Sequence, residues 1–402
     1  MHILLIHQAF AALDEPGGTR HHELARYLAD RNQRVSIIAS PVSYLTGDDS
    51  PNSPFTEDKN GFIRIYRTYT YPALHKSFFH RLISFFSFMF SSFFKSISIR
   101  KVDLVWGTTP PIFQSFTALL VSRIRGVPFL LEVRDLWPEF AIAVGVLKSP
   151  LLIRLSYWLE KFLYRHADRI VVNSPGFIEH VANQGGRNIH LVPNGADVGL
   201  FELLETHKSR KSLGWEEKFT ALYAGAHGMS NDLEVLLESA KELSSNPNIQ
   251  FALVGDGKEK ASLVEKAKMM RLGNIHFLPP VSKKQIGQTL SAADACIAIL
   301  KPIEMYKTTY PNKVFDYMAA GKPVILAIDG VIRDVVESAD CGIFCTPGDP
   351  QAIADAIKFL YNNQNRSRQM GLNGRKYLED HFDREKIAGD LAGLMEEMVK
   401  NG

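Results

Sequence analysis

The sequence predicts an α/β protein of two doubly wound, Rossmann-like domains, and three observations carry that reading. Aliphatic and β-branched runs alternate with amphipathic helical patterns, which implies βαβ units and a parallel sheet covered on both faces. The series pauses at Pro193–Gly195 and then restarts. The 402 residues also exceed what one compact core usually organises. Hydrophobic residues at 46% and charged residues at 22% exclude a disordered or low-complexity chain. Lys plus Arg number 46 against 43 Asp plus Glu, and the formal charge of +3 is too even for a nucleic-acid partner. None of the three cysteines (Cys296, Cys341, Cys345) has disulfide-framework or zinc-ligand spacing, so no metal is expected and a reducing cytosol fits.

The elements follow in order. HILLIH from His2 reads as a buried first strand and not as a signal peptide, because it lacks a basic leader and a small-residue cleavage site. Gly17 and Gly18 precede a helix carrying Leu24 and Leu28; such a turn lets backbone N–H groups approach a phosphate, although it is also a common strand–helix junction. His21 and His22 read as packing or surface residues. Further strands are expected at RVSIIAS from Arg34, FIRIYR from Phe62, DLVWG from Asp103, PFLLEV from Pro128 and DRIVVN from Asp168.

Between the third and fourth of these runs lies FFHRLISFFSFMFSSFF, Phe78 to Phe94, which holds many of the 25 phenylalanines. The run is too short and too rich in serine to span a bilayer. On a helical wheel Phe78, Phe79, Phe86, Phe90, Phe93 and Phe94 share one face with Phe85 at its edge, while Ser84, Ser87, Ser91 and Phe88 fall on the other. Lys76, Arg81, Lys95, Arg100 and Lys101 flank it. Two readings are open: a helix that buries its aromatic face in the core, or a helix lying in a membrane surface through Phe85, Phe86, Phe90 and Phe93.

LLEVRDLWPEF ends the fifth strand with Glu132, Arg134, Asp135 and Glu139 around Trp137 and Pro138. Ligands of doubly wound sheets bind outside the strands' carboxyl ends, so Arg134, Asp135 and Glu139 are candidate catalytic residues; a salt-bridged turn is the plainer alternative. VPNGAD and the charged stretch Glu202–Lys218 read as the linker, dividing residues 1–198 from 199–383, with the helix of 384–402 docking back on the first half and chemistry placed between the halves. The second series runs TALYAG from Thr220, IQFALVG from Ile249, IHFL from Ile275, ACIAIL from Ala295, PVILA from Pro323 and GIFC from Gly342. In LKPIEMYKTTYPNKVFDYMAAGKPVILA, Lys307, Thr308, Thr309, Asn312 and Lys313 collect at a helix start, where donors and the helix dipole suit a pyrophosphate. Asp316, one turn on, can accept from ribose hydroxyls; a capped, solvated helix is the alternative.

PNKVFDYMAAGKPVI closely resembles the donor-nucleotide helix of retaining family 4 glycosyltransferases with the GT-B fold. GGTRHHELA, VPNGAD, YAGAHG, LVGDG and FLPPVSKKQI extend the likeness over nearly the whole chain. With RDLWPE it looks most like the bacterial N-acetylfucosaminyl transferases of O-antigen and capsule synthesis. The resemblance implies a UDP-linked, N-acetylated sugar such as UDP-N-acetylfucosamine as donor, a polyprenyl-diphosphate-linked saccharide as acceptor, retention of configuration, and neither metal nor cofactor. It places the enzyme on the cytoplasmic face of the inner membrane, with acceptor on the first domain and nucleotide on the second. Asp316 matches the second acidic residue of the family's Glu-x7-Glu signature, but Thr308 stands at the first. The family's diphosphate-binding Arg and Lys fall on Ala226 and Asn231, so Lys307 or Lys313, or less readily His227, must supply the cation. Arg134 occupies the position of the family's cleft histidine. Gly225 lies in the donor loop, and Gly255 with Pro280 and Val281 in the loops bordering the base. A nucleotide-sugar epimerase on the same scaffold is the rival enzyme, and a non-catalytic membrane-bound assembly partner the third reading.

Overall fold

The computed structural model describes residues 1–42, 54–58, 60–72 and 77–401. It forms two compact units. The N-terminal unit comprises Met1–Ala12, Gly18–Pro193 and Glu385–Gly402; the C-terminal unit comprises Leu13–Gly17 and Asn194–Arg384.

The N-terminal unit runs β1 (His2–Ile6), α1 (Arg20–Asp30), β2 (Arg34–Ala39), β3 (Phe55–Glu57), β4 (Ile63–Arg67), α2 (Phe78–Ser98), β5 (Leu104–Thr109) and α3 (Ile112–Arg125). It continues through β6 (Phe129–Val133), α4 (Glu139–Ala143), α5 (Pro150–His166), β7 (Arg169–Val172), α6 (Ile178–Asn183) and β8 (Ile189–Leu191). The sheet order is β3-β4-β2-β1-β5-β6-β7-β8, parallel except where β3 pairs with β4. Both short edge strands, β3 and β8, lie outside the sequence reading, since three residues show no periodicity.

Ile3, Leu5, Trp106, Leu130 and Val171 point to one face of this sheet and pack with Leu24 and Leu28 of α1 and with Leu391 and Met395 of the C-terminal helix. The alternate residues Leu4, Ile6, Val105 and Leu131 are equally buried and point to the other face. The β5-α3-β6 and β6-α5-β7 crossovers travel along the sheet opposite to β1-α1-β2, so right-handed connections set α3 and α5 on the face opposite α1. α2 packs along α3, and α3 along α5, completing that layer.

α2 turns most of its aromatic face outward, against the reading that buries that face in the core. Its inward stripe is Ser84, Phe88, Ser92 and Ser96, with Phe88 wholly buried, whereas Phe79, Ile83, Phe86, Phe90, Phe94 and Ile97 face solvent. The core-burial reading therefore fails for the aromatic face. Small side chains let the helix approach α3 closely, and the hydroxyls of Ser87, Ser91 and Ser92 donate to helix carbonyls three residues back. Arg125 of α3 donates to the carbonyls of Ser96, Ile97 and Ile99, capping the helix's exit. Of the expected docking residues Phe86 and Phe90 are exposed and Phe85 and Phe93 half-buried, while Lys76 and the Phe78 side chain lie outside the described residues. Among the described residues no helix is long and apolar enough to cross a membrane.

The C-terminal unit runs α7 (Thr206–Leu213), β9 (Phe219–Ala224), α8 (Glu234–Glu242), β10 (Ile249–Val254), α9 (Lys260–Met269), β11 (Ile275–Leu278) and α10 (Lys283–Ser291). Then follow β12 (Ala295–Ile299), α11 (Asn312–Ala319), β13 (Val324–Ala327), α12 (Val331–Ser338), β14 (Gly342–Phe344), α13 (Pro350–Asn362) and α14 (Gln364–His381). The chain ends in α15 (Arg384–Asn401), the helix that joins the N-terminal unit's core. Its sheet, β11-β10-β9-β12-β13-β14, is parallel throughout and buried on both faces. The charged stretch read as linker is folded instead: α7 buries Arg210, which bonds the Ala292 carbonyl and the Asp294 carboxylate. A guanidinium so paired is satisfied in the interior, which sequence charge alone does not reveal.

Candidate functional site

In the C-terminal unit the strand ends of β9 and β10 and the start of α11 build one constellation. The loop after β9 passes so close to the loop after β10 that a Cβ on Gly255 would lie 1.9 Å from the Gly225 carbonyl oxygen, and Gly255 takes φ 149°. Only glycine fits both constraints. A Cβ on Gly257 would likewise strike the His227 backbone. His227 is held there by its N–H donating to the Asp256 carbonyl at 2.8 Å and its carbonyl accepting from Glu259 at 2.9 Å. Its ring is buried, neither nitrogen has a partner among the described residues, and burial lowers its pKa to about 4. A neutral, enclosed imidazole is a poor source of positive charge.

Lys260 is spent on the Gly255 and Leu278 carbonyls, whereas Lys313, on the first turn of α11, reaches this loop from another element. Its Nζ donates to the Tyr223 hydroxyl at 3.0 Å and to Asn231 Oδ1 at 2.9 Å, and lies 4.3 Å from the Tyr223 ring centre. A Cβ at Gly225 would sit 3.2 Å from it. Both oxygen partners are neutral, so burial dominates and lowers the Lys313 pKa to about 7. Lys307 goes elsewhere: it is half-exposed and pairs with Glu304 at 2.9 Å. The Thr308 and Thr309 hydroxyls donate to the Met305 and Tyr306 carbonyls, so the expected gathering of donors at the helix start reduces to Lys313. Asn312 is exposed at the first position of α11. Asp316 accepts from Lys283 Nζ of α10 at 2.6 Å in a largely buried pair, beside the partly buried Pro280 and Val281 that precede α10.

In the N-terminal unit the carboxyl ends of β1, β5 and β6 collect a second constellation. Glu132 is wholly buried and accepts from Arg20 Nε at 2.9 Å and from His21 Nε2 at 2.5 Å. Burial alone would raise this carboxyl, but His21 and Arg20 hold it well below the usual carboxylate range. Burial also lowers His21, to about 4, so a neutral imidazole donates to an ionised carboxylate. Arg20 also donates to the Pro193 and Val192 carbonyls, which makes this a structural tie.

Arg134 is aimed by three groups: Nε donates to Thr108 Oγ1 at 2.7 Å, and Nη2 donates to His7 Nε2 at 3.1 Å and to the Pro110 carbonyl at 3.2 Å. A guanidinium only donates, so His7 Nε2 accepts and its proton sits on Nδ1, buried without a partner among the described residues. Burial lowers the His7 pKa further than either neighbouring charge does, which keeps it neutral. Beside it, burial raises the Asp135 carboxyl to about 7 against the pull of Arg134 and the Leu136 N–H, and its Oδ1 has no partner among the described residues. Glu139 accepts from the Tyr157 hydroxyl at 2.8 Å and is thereby tied to α5. Gly17 closes the Leu13–Gly17 segment of the C-terminal unit, whereas Gly18 precedes α1, and a Cβ on Gly18 would meet nothing.

Two family models match the chain: "Glycosyl transferase 4-like domain" over residues 17–195 and "Glycosyl transferases group 1" over residues 205–377. The protein belongs to the group 1 glycosyltransferases of GT-B fold. Among curated relatives, the glycosyl transferase WcaI of Escherichia coli, named for colanic acid biosynthesis, is 24% identical over 76% of this chain and 78% of its own. Glycosyltransferase WbjE of Pseudomonas aeruginosa is 27% identical over 67% and 70%. Sucrose-phosphate synthase from Thermosynechococcus elongatus superposes with TM-score 0.82 at 19% identity over the whole of both chains. Anabaena HepE, solved with UDP-glucose, does so with TM-score 0.74 at 19% identity over 99% and 100%.

In this glycosyltransferase the structure brings Gly225, His227, Gly255 and Lys313 together, and sets Arg134 beside Asp135. It separates Lys307 from that group and gives Asp316 a lysine partner. Sequence reasoning missed His7, Thr108 and Tyr223. His7 follows β1 immediately and Tyr223 lies near the end of β9, so the rule of strand carboxyl ends was the available signal.

Proposed function

We propose that this glycosyltransferase moves a sugar, N-acetylated and UDP-linked, to a hydroxyl of a lipid-linked saccharide with retention at the anomeric carbon, in the assembly of a bacterial surface polysaccharide. The observation that carries the reading is Lys313. The family's diphosphate lysine is absent, because its position is Asn231, and the Lys313 ammonium hydrogen-bonds that same Asn231 from another element. A cation restored at one point from a different helix is what a diphosphate leaving group requires. The C-terminal unit accordingly binds nucleotide, with Asp316 toward the ribose and the glycine loops allowing close backbone approach.

The N-terminal unit takes the acceptor. Arg134, fixed by His7, Thr108 and Pro110, stabilises phosphate charge, and Asp135, with a pKa near neutrality, meets the acceptor hydroxyl. No metal or cofactor enters this scheme; the diphosphate charge is met in the C-terminal unit by Lys313 and backbone N–H groups. Relatives named for colanic acid, teichuronic acid and O-antigen synthesis support the polysaccharide context, and neighbours solved with UDP or UDP-glucose support the nucleotide. Lipid-linked acceptors place the work at the cytoplasmic face of the inner membrane.

The test is a thermal-shift screen of UDP, GDP, CDP and ADP, followed by turnover of UDP-N-acetylhexosamines with a polyprenyl-diphosphate saccharide. A ligand at 100 times its Kd adds about 2.7 kcal/mol of stability. A shift for UDP alone and acceptor-dependent release of UDP are expected. Conversion of the donor to its epimer without acceptor would replace the transferase by an epimerase.

A further inference from the structure

We infer that the outer face of the α2-α3-α5 layer docks flat on an anionic lipid bilayer, inserting aromatic and aliphatic side chains from three separate chain segments together. The inference deepens the lipid-linked acceptor proposed above and rests on it for its purpose.

The apolar surface is continuous across three helices. On α2, Phe79, Phe86, Phe90 and Phe94 project outward, Phe94 with 70% of its surface exposed. Phe113 of α3 meets Phe86 of α2 with ring centres 4.9 Å apart, and the same α3 stripe continues through Phe116 to exposed Leu120 and Ile124. Phe116 meets Phe162 of α5 at 6.3 Å, and Phe162 stacks on Trp158 at 5.5 Å. Trp158 is 60% exposed, and Leu151 and Leu155 stand exposed beside it on α5. A 21-residue helix is about 32 Å long and packed helices lie about 10 Å apart, so this face exceeds the few hundred Å² that soluble proteins ordinarily leave uncovered.

Charge selects the occupant. The three helices carry seven Lys or Arg and one carboxylate, Glu160; Arg123 is offset by Asp168 at 3.6 Å and Arg125 is spent on the carbonyls that end α2, which leaves the cations of α5 to carry the surface field. Glu160 is wholly buried and bonded to His180 at 2.9 Å, so it does not offset the outward field. Arg154, Lys161 and Arg165 are exposed among the apolar residues of α5. Anionic headgroups satisfy those cations while the acyl boundary takes the rings. A second copy of the chain would set like charge against like charge across a two-fold axis. The serine stripe explains how α2 can turn its other phenylalanines outward: close packing through Ser84, Ser92 and Ser96 around the single buried ring of Phe88 secures the helix without them.

The test uses the full chain, sucrose-loaded vesicles of phosphatidylcholine with or without phosphatidylglycerol, and parallel UDP titrations. Wild type should sediment with the anionic vesicles only. Leu155→Ser with Trp158→Ser on α5 should weaken binding roughly tenfold or more, as should Phe90→Ser with Phe94→Ser on α2. Arg154→Glu with Lys161→Glu, changes confined to exposed positions that cannot unfold the core, should do the same. All variants should keep UDP affinity. The inference is overturned by wild type that ignores anionic vesicles or binds neutral ones equally, or by an α5 variant that binds as wild type, which would leave docking to α2 alone. A dimer in light scattering that the α5 pair dissociates would assign the face to a second copy and overturn it too. Loss of vesicle binding with UDP affinity intact speaks to docking; wild type that sediments but binds no UDP refutes the donor reading alone.

Discussion

UDP binding by this chain should take up a proton, and Lys313 should be where it goes. The ammonium is buried against two neutral oxygens, Tyr223 Oη and Asn231 Oδ1, and its pKa is lowered to about 7 by that burial. Other titratable groups near it do not change charge in the same window: Tyr223 is raised by burial and His227 is lowered to about 4. Lys260, the cation acting on His227, is engaged with the Gly255 and Leu278 carbonyls. A diphosphate placed beside Nζ favours the charged form, so binding above pH 7 is accompanied by protonation and weakens as pH rises. At pH 8.5 about 3% of free protein carries the charge against about half at pH 7, so the apparent Kd should rise roughly 16-fold. The terminal phosphate of UDP titrates with a midpoint near pH 6 and is about 90% ionised by pH 7, so it does not mask the trend. Calorimetry at pH 8 in two buffers of different ionisation enthalpy should show about 0.9 proton taken up per UDP. Lys313→Arg, always charged, should flatten the profile; Lys313→Met should remove it and cost about 1.5–3 kcal/mol, one to two decades in Kd. A pH-independent Kd with no proton uptake in wild type would refute the placement of the diphosphate beside Lys313.

Further expectations follow from the same geometry. Asp316→Asn should weaken UDP binding about tenfold yet leave 2′-deoxy-UDP nearly unaffected if the carboxylate serves the ribose; equal losses would point to the broken Lys283 pair instead. His7→Phe should lower kcat while leaving UDP affinity unchanged, because His7 acts through Arg134 in the N-terminal unit; unaltered kcat would make His7 a packing residue. Asp135 has its folded pKa raised to about 7 from a reference of 3.8, so its contribution to stability is full below pH 4 and lost as pH rises through 7. Asp135→Asn should therefore melt above wild type at pH 8, by on the order of a few kcal/mol, and the gap should close at pH 4 in paired melting curves. Treatment with EDTA should leave turnover intact; silencing that magnesium or manganese reverses would contradict charge stabilisation by protein cations alone.

Parallel βαβ order was legible because a strand buried on both faces needs a continuous apolar run, and the runs at Ile3, Val105, Leu130, Ile249 and Ala295 supply it without reference to anything distant. Glycine spacing and the turn before α11 were equally local signals, so that helix and the glycine loops could be located from the chain alone. Which cation serves the loop was not local. Lys307 and Lys313 are equivalent in sequence, and only the fold sends one to Glu304 at the surface and the other 90 residues away to Tyr223. The same holds for Glu132, one of four ionisable residues clustered at the end of β6 in the sequence, which the fold ties to Arg20 and His21 from α1. On α2 the periodicity divided phenylalanines from serines correctly and still left the direction open. A helical wheel fixes angles between side chains; it does not say which side meets the protein, since that depends on whether the neighbouring helix offers room for rings or only for hydroxymethyl groups. Here the inward side takes Ser84, Ser92 and Ser96 with the single ring of Phe88, and Phe79, Phe86, Phe90 and Phe94 are left facing solvent.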